Sequence, residues 1–400
     1  MVHWLRALAV LLAVCAPAQA ESRAPLAPPP LAGADLQAVP FADLPGWADD
    51  DAGAAFSTFL ASCHALSVRP KETGPASNAA LVPALRVACS AAEAVARAAA
   101  PARVSERVAR LYFEANFRAY RIVPAASALG FLTGYYEPEV EGSRVRTDRF
   151  TVPIYGRPTD LIALRPPADG NRGQVVRKEG DALVPYHDRA AIEDGALAGR
   201  GLEIAWIEHP VDLFFMQIQG SARIRLSDGA ALRLNYDGHN GYSYLPVGRL
   251  LIQRGLVPRE EMSMARIRRY IEDDPQAGRA LMRENRSFVF FKAVPLAGSD
   301  GALGAQGVPL TPGRSIAVDR ALHAYGTPFF IAAELPLQGE GAQDPFRRLM
   351  IAQDTGSAIV GPARADLFFG AGEVEGEVAG RIRHPGAFVM LVPRFSGDPP

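Results

Sequence analysis

The chain has 400 residues, with 42 Lys and Arg against 43 Asp and Glu and a formal net charge of -1. Hydrophobic residues at 48% and charged residues at 21% exclude a disordered chain and supply more than one core, so two or three domains are expected. The even charge balance excludes a nucleic-acid binder that works through a basic surface.

The first predicted element is a signal segment, residues 1–20. A basic start ending at Arg6 leads into an apolar run from Ala7 to Ala16, and Ala18-Gln19-Ala20 supplies a small-residue cleavage site. The run is shorter than the ~20 residues a membrane-spanning helix needs, so export with cleavage after Ala20 is expected. Cys15 follows Leu12, Ala13 and Val14. A lipid-bearing cysteine normally follows a small residue, so a protein free in the periplasm is expected, with outer-membrane association through Cys15 as the alternative. Export leaves Cys63 and Cys89, expected to form one disulfide between two N-terminal helices; two buried free thiols are the alternative.

Residues 21–46, rich in Pro and Ala, read as a solvated leader. From 47 to 137 the pattern is mainly helical. Phe56, Phe59, Leu60 and Cys63 fall at helical spacing, and further helices are expected over roughly 79–98 and 104–119. Near 130 the texture changes to short strands separated by Gly and Pro. Residues 222–226 and 232–234 alternate around Ser227-Asp228-Gly229, which predicts a hairpin. A helical interlude over about 259–284 starts at Ser263, a plausible N-cap for Met264, Ile267 and Ile271.

The motifs of several chemistries are missing. The sequence has no H-E-x-x-H zinc pattern, nucleophile elbow or P-loop, so no metal or cofactor is expected. Carboxylates remain. Asp354 in Gln353-Asp-Thr-Gly-Ser357, Asp366 before Leu367-Phe-Phe369, and Asp319 after Ser315-Ile-Ala-Val318 each adjoin a short apolar stretch, at a strand end or edge. A carboxylate held among apolar groups keeps its proton near neutrality, as a general acid must. The bland alternative is an Asx turn beside glycine. Asp-Thr-Gly also occurs in aspartic proteases, but those need two copies and this chain has one. Thr133-Gly134-Tyr135-Tyr136 offers aromatic faces for sugar stacking, with core packing as the alternative. Gln217 and Gln219, leading into Gly220-Ser221, are expected on one strand face, suited either to sugar hydroxyls or to backbone groups in a barrel.

Together these segments resemble the membrane-bound lytic murein transglycosylase A family. The similarity is carried by residues 133–138 (TGYYEP), 212–221 (DLFFMQIQGS), 236–242 (YDGHNGY), 248–251 (GRLL), 285–291 (NRSFVFF), 308–319 (VPLTPGRSIAVD) and 352–359 (AQDTGSAI). It runs almost continuously from about 130 to 394, in a specific order. Ser357 stands where the family often has a second glycine. The resemblance implies a mainly β protein with N-terminal helices. A double-psi β-barrel, completed by a three-aspartate (3D) domain over 286–400, would carry an inserted β-barrel-like domain over 138–285, with a glycan groove between them.

The resemblance also implies a polysaccharide lyase that cleaves the MurNAc-β-1,4-GlcNAc bond of peptidoglycan and leaves 1,6-anhydro-MurNAc, in cell-wall turnover. Asp366 maps to the general acid/base, and Asp354 and Asp319 to supporting positions. Thr133, Gly134, Tyr135, Gln217, Gln219, Gly220 and Ser221 are the expected glycan contacts. The expected partners are peptidoglycan glycan strands and, beyond them, cell-wall synthesis or divisome proteins.

Overall fold

The computed structural model describes residues 30–68, 81–164, 174–295 and 301–394; the signal segment and Cys15 lie outside the described residues. In chain order the first part contains β1 (Ala34–Val39), α1 (Ala52–Val68), α2 (Leu81–Ala99), α3 (Glu106–Asn116), β2 (Phe117–Pro124) and β3 (Gly130–Glu137). Then follow β4 (Glu139–Ser143), β5 (Val152–Tyr155), β6 (Ile162–Ala163), β7 (Val175–Glu179), β8 (Ala182–Pro185), α4 (Arg189–Ala191), β9 (Glu203–Ile207) and α5 (Pro210–Gln219). The same excursion continues through β10 (Ser221–Leu226), β11 (Ala231–His239), α6 (Val247–Gln253), α7 (Met264–Asp273), α8 (Pro275–Glu284) and β12 (Val289–Val294). The chain then returns through β13 (Ser315–Val318), β14 (Pro328–Leu335), β15 (Asp344–Asp354), β16 (Arg364–Ala371), α9 (Glu373–Arg381) and β17 (Arg383–Pro393).

Six strands close the first barrel in the order β3-β16-β13-β15-β14-β17, with β17 pairing back onto β3. Two of its contacts, β13 with β15 and β16 with β3, are parallel, so the segments joining them must cross over the barrel. The second barrel runs β12-β11-β10-β4-β9-β5 and is closed by a bridge between Gly156 and Phe291. Closure leaves neither six-stranded ring with a free edge.

The helices cover the first barrel. Ser105 caps α3 by accepting from the Val108 N–H. This places Tyr112, Phe113 and Phe117 against Phe56 and Phe59 of α1, with ring centroids 5.0–6.2 Å apart. Cys63 of α1 is disulfide-bonded to Cys89 of α2, Cα to Cα 5.1 Å. The bond closes a loop of 26 positions, worth about 3–4 kcal/mol in the chain-entropy treatment. Cys63→Ser is therefore expected to lose most of that amount in urea unfolding, and reductant should bring the wild type to the same midpoint without moving the variant.

Several expectations change. Residues 21–29 lie outside the described residues, but 34–39 form β1, an edge strand on β2, and Leu31, Leu44 and Trp47 are buried. The leader is therefore part of the first barrel from about residue 31. The helix expected over 104–119 ends at Asn116, where alternating burial begins in β2. The inserted domain does not stop at 285, because β12 pairs with β11 and completes its barrel. The hairpin of β10 and β11 and the Ser263 cap on Arg266 N are present.

The two barrels are clamped at their junction. Glu137, fully buried at the end of β3, pairs with Arg223 at 2.7 Å and with the buried Arg233 at 3.2 Å. Burial pushes the Glu137 carboxyl up, and the two arginines pull it back. Arg233 and Asn235 also grip the returning chain, donating to Gly301 O and Leu303 O at 2.9 Å each.

Candidate active site

The centre of the first barrel is β13, whose four residues are all buried. Its Ala317 is the register partner of Asp354 on β15 and of Asp366 on β16. Asp366 is in turn the register partner of Thr133 on β3. Register partners share a face, so one row crosses four strands: Asp354, Ala317, Asp366, Thr133. The two aspartates stand two strand spacings apart, ~10 Å at the backbone. Ala317 between them is buried in an apolar cluster with Tyr135, Leu310, Ile359 and Phe368.

Asp366 is partly exposed, and Thr133 Oγ1 donates a hydrogen bond to its Oδ1. The apolar surroundings push its carboxyl above the ordinary carboxylate range, against the opposing pull of the Arg364 guanidinium and the Thr133 hydroxyl. Asp354 is held differently. Its Oδ1 accepts from the N–H groups of Ala305 and Thr355, and its Oδ2 from the Tyr135 hydroxyl, all at 2.9 Å. Burial, outweighing those three donors, still raises it to about 6. Tyr135 stays a neutral phenol, because burial first and then the Asp354 carboxylate push its pKa well up. Its ring packs on Phe368 at 5.2 Å.

The neighbours of Asp354 explain its rigidity. Gln353, fully buried, donates to Thr58 O at 3.0 Å and to Ser62 Oγ at 2.8 Å, and accepts from Ser315 Oγ at 2.6 Å. Helix α1 thereby pins the end of β15. Asp50 and Arg314 form a buried two-pronged pair at 2.8 Å, and the same aspartate accepts from Leu349 N. The third aspartate is bound by backbone donors. Asp319 accepts from Ala321 N at 2.9 Å and Gly361 N at 2.8 Å, tying the turn after β13 to the loop before β16. His323 beside it is buried, is lowered to about 4 by desolvation, and bonds Pro362 O, so it is neutral and offers no acid/base group.

Of the expected glycan contacts, the structure places Thr133 in the aspartate row and Tyr135 beside it, opposite Phe368, with its hydroxyl on Asp354. Gly134 faces the other way: a Cβ there would lie 2.8 Å from Ala379 of α9, so its role is close helix packing. Gln217 and Gln219 are on α5, not on a strand. Pro210 opens that helix and Gly220, at φ 79°, closes it. Two positions apart on a helix they do not share a face. Gln217 is buried and donates to Val289 O at 3.1 Å; Gln219 Oε1 accepts from Tyr136 N at 3.1 Å. Ser221 is buried opposite Asn235 in the second barrel. Arg364, absent from the sequence-based set, donates to Thr133 Oγ1 at 2.8 Å; its sequence signal is its position two residues before Asp366 on the same strand. Among the described residues no group of three or more His, Cys, Asp or Glu could hold a metal ion.

Comparison with known proteins places this geometry in context. Residues 131–292 match the MltA specific insert domain, and residues 314–392 match the 3D domain. A protein of Vibrio cholerae named membrane-bound lytic murein transglycosylase A is 36% identical over 262 residues. The match spans 64% of this chain and 63% of that relative, under two thirds of its length. The crystal structure of a membrane-bound lytic murein transglycosylase from Agrobacterium tumefaciens superposes with a TM-score of 0.79 at 38% identity, covering 90% of this chain and 98% of that one. The structure of E. coli MltA with bound chitohexaose gives 0.65 at 26% identity, covering 90% and 95%.

Proposed function

The chain belongs to the membrane-bound lytic murein transglycosylase A family, with its 3D domain, and from that premise we propose that it cleaves the MurNAc-β-1,4-GlcNAc bond of peptidoglycan with formation of 1,6-anhydro-MurNAc, in cell-wall turnover. One observation carries this reading. Of the two carboxylates in the row, only Asp366 has an oxygen to offer a substrate, since both oxygens of Asp354 are taken by fixed donors. Hydrolysis by the usual route needs a second working carboxylate, to activate water or to attack the sugar. An intramolecular closure needs one.

The steps follow from that arrangement. Protonated Asp366 gives its proton to the glycosidic oxygen, and the bond from that oxygen to the MurNAc anomeric carbon breaks. Positive charge develops at that carbon, where the ionised Asp354 stabilises it electrostatically. The carboxylate left on Asp366 then takes the proton of the C6 hydroxyl of the same sugar. The C6 oxygen bonds to the anomeric carbon, and Asp366 is protonated again. The chitohexaose bound to the E. coli protein supports a glycan strand as the ligand of the groove. Thr133 and Tyr135 border that strand on the first barrel, whereas the Gln219 side chain is spent on Tyr136 N and Met264, towards helix α9.

The chain is assigned to the cell envelope. The names of its relatives support that placement, and no helix among the described residues is long and apolar enough to cross a membrane. Export through residues 1–20 to the periplasm, with the outer membrane as a site of association, is part of the same proposal. Mass spectrometry of fragments released from purified peptidoglycan tests the activity. Fragments ending in anhydro sugars, one water lighter than their reducing counterparts, are expected; reducing ends alone would make the protein a hydrolase.

A further inference from the structure

Asp366 does not meet Thr133 alone. Thr133 Oγ1 donates its single hydrogen to Asp366 Oδ1 and accepts from the Arg364 guanidinium at 2.8 Å. A hydroxyl has one hydrogen, and a cation on its oxygen turns that hydrogen away from the cation. Arg364 is itself fixed. A second nitrogen donates to Ala365 O at 2.5 Å, and the guanidinium lies over the Phe131 ring, 5.5 Å from its centroid. Phe131, Thr133 and Tyr135 alternate along β3 and share a face.

We propose that Arg364 is a positioning residue that, through Thr133, fixes a donor on Oδ1 of Asp366 and so assigns the working proton to Oδ2. Thr133 is then a link in the acid's support rather than a sugar contact alone. Because the donor on Oδ1 favours the ionised carboxylate, the pair also moderates the upward push of burial on Asp366. This makes the proton easier to release in the first half-reaction.

The other charged and titratable groups around Asp366 do not take this place. From β15, Asp354 is held by its own three donors; from β13, Asp319 is engaged by Ala321 and Gly361. Tyr135 of β3 donates to Asp354. Arg383 of β17, the register partner of Thr133, donates to Glu260 O at 2.8 Å. Helix α9, with Glu373, Glu375, Glu377 and Arg381, packs on the opposite face of β3, against Gly134.

The catalytic consequence rests on the transglycosylase reading; the hold on Asp366 does not, and the test separates the two. The Asp366 carboxyl is followed by NMR in protein with isotope-labelled aspartate carbons, its signal assigned by loss in Asp366→Asn. Arg364→Met and Thr133→Val are each expected to raise its midpoint by about one unit, a tenfold change in proton affinity. The double variant should exceed Thr133→Val, because the Arg364 charge also acts on the carboxylate directly, but fall short of the sum of the two single shifts, because part of its effect runs through that hydroxyl; Thr133→Ser should keep the wild-type midpoint. In peptidoglycan cleavage the basic limb of the pH profile should rise by the same amount in Arg364→Met, with KM within about twofold of wild type. A folded Arg364→Met protein with an unmoved Asp366 midpoint overturns the proposal, as does a Thr133→Ser shift equal to that of Thr133→Val. Should Arg364→Met not fold, the two Thr133 variants decide. A moved midpoint with an unmoved kinetic limb upholds the hold on Asp366 and overturns instead the assignment of Asp366 as the acid.

Discussion

Asp366→Asn is expected to reduce anhydro-product release by at least the upper end of the ~10²–10⁴-fold that a general acid/base supplies. The amide keeps the size of the side chain and can still accept from Thr133 through its oxygen, so the barrel should melt as the wild type does. What is lost is the proton cycle. One carboxyl serves both half-reactions, and the loss in one is not repaired by the other. The neighbouring Asp354 cannot take over, because its oxygens are held by Ala305, Thr355 and Tyr135. Rates on glycan strands, with thermal melting as the control for folding, check this result.

Asp354→Asn should separate activity from stability. Loss of its negative charge beside the developing cation is expected to lower kcat on the order of 10²-fold with little change in KM. Stability should move the other way. Folding raises the Asp354 carboxyl from 3.8 to about 6, chiefly by burial. Between those values the folded protein keeps a proton that the unfolded chain releases. Stability therefore falls as pH rises through that window, and the full cost is present above it. Removing the charge should raise unfolding free energy near pH 8 by about 1–3 kcal/mol and change little at about pH 3, where both states are mostly protonated. Denaturant midpoints of the two proteins at the two pH values measure it. An equal shift at both would assign the effect to packing or hydrogen bonding, not to the buried charge.

The sequence carries the chemistry of this site more clearly than its geometry. Asp354 is visible inside Ala352–Ile359 and Asp366 ahead of the apolar Leu367–Phe369, and the order of motifs identifies the family. Their common face is not visible, since it depends on β13 lying between β15 and β16, a pairing set by barrel closure. Arg364 was missed for the same reason: its partner Thr133 is 231 positions away, and only the parallel pairing of β16 with β3 joins them. The segment 212–219 misled through its Gln-x-Gln alternation, although Pro210 and Gly220 bracket it as a helix. The Pro-rich run hid β1, because an edge strand paired on one side carries only weak alternation, here Leu36 and Ala34 turned inward among exposed neighbours. Cys63 and Cys89 were readable as a pair because export left no other cysteine, whereas Glu137 and its two arginines needed the junction of two barrels to show why a carboxylate is fully buried.

The claim that one carboxyl passes the proton in both directions is tested most directly by cleaving glycan strands in heavy-oxygen water. Wild-type protein and Asp354→Asn should both form ends that carry no solvent oxygen, because the sugar's own C6 hydroxyl closes the ring. Solvent oxygen in the wild-type ends, lost in Asp354→Asn, would make Asp354 a water-activating base and the protein a two-carboxylate hydrolase.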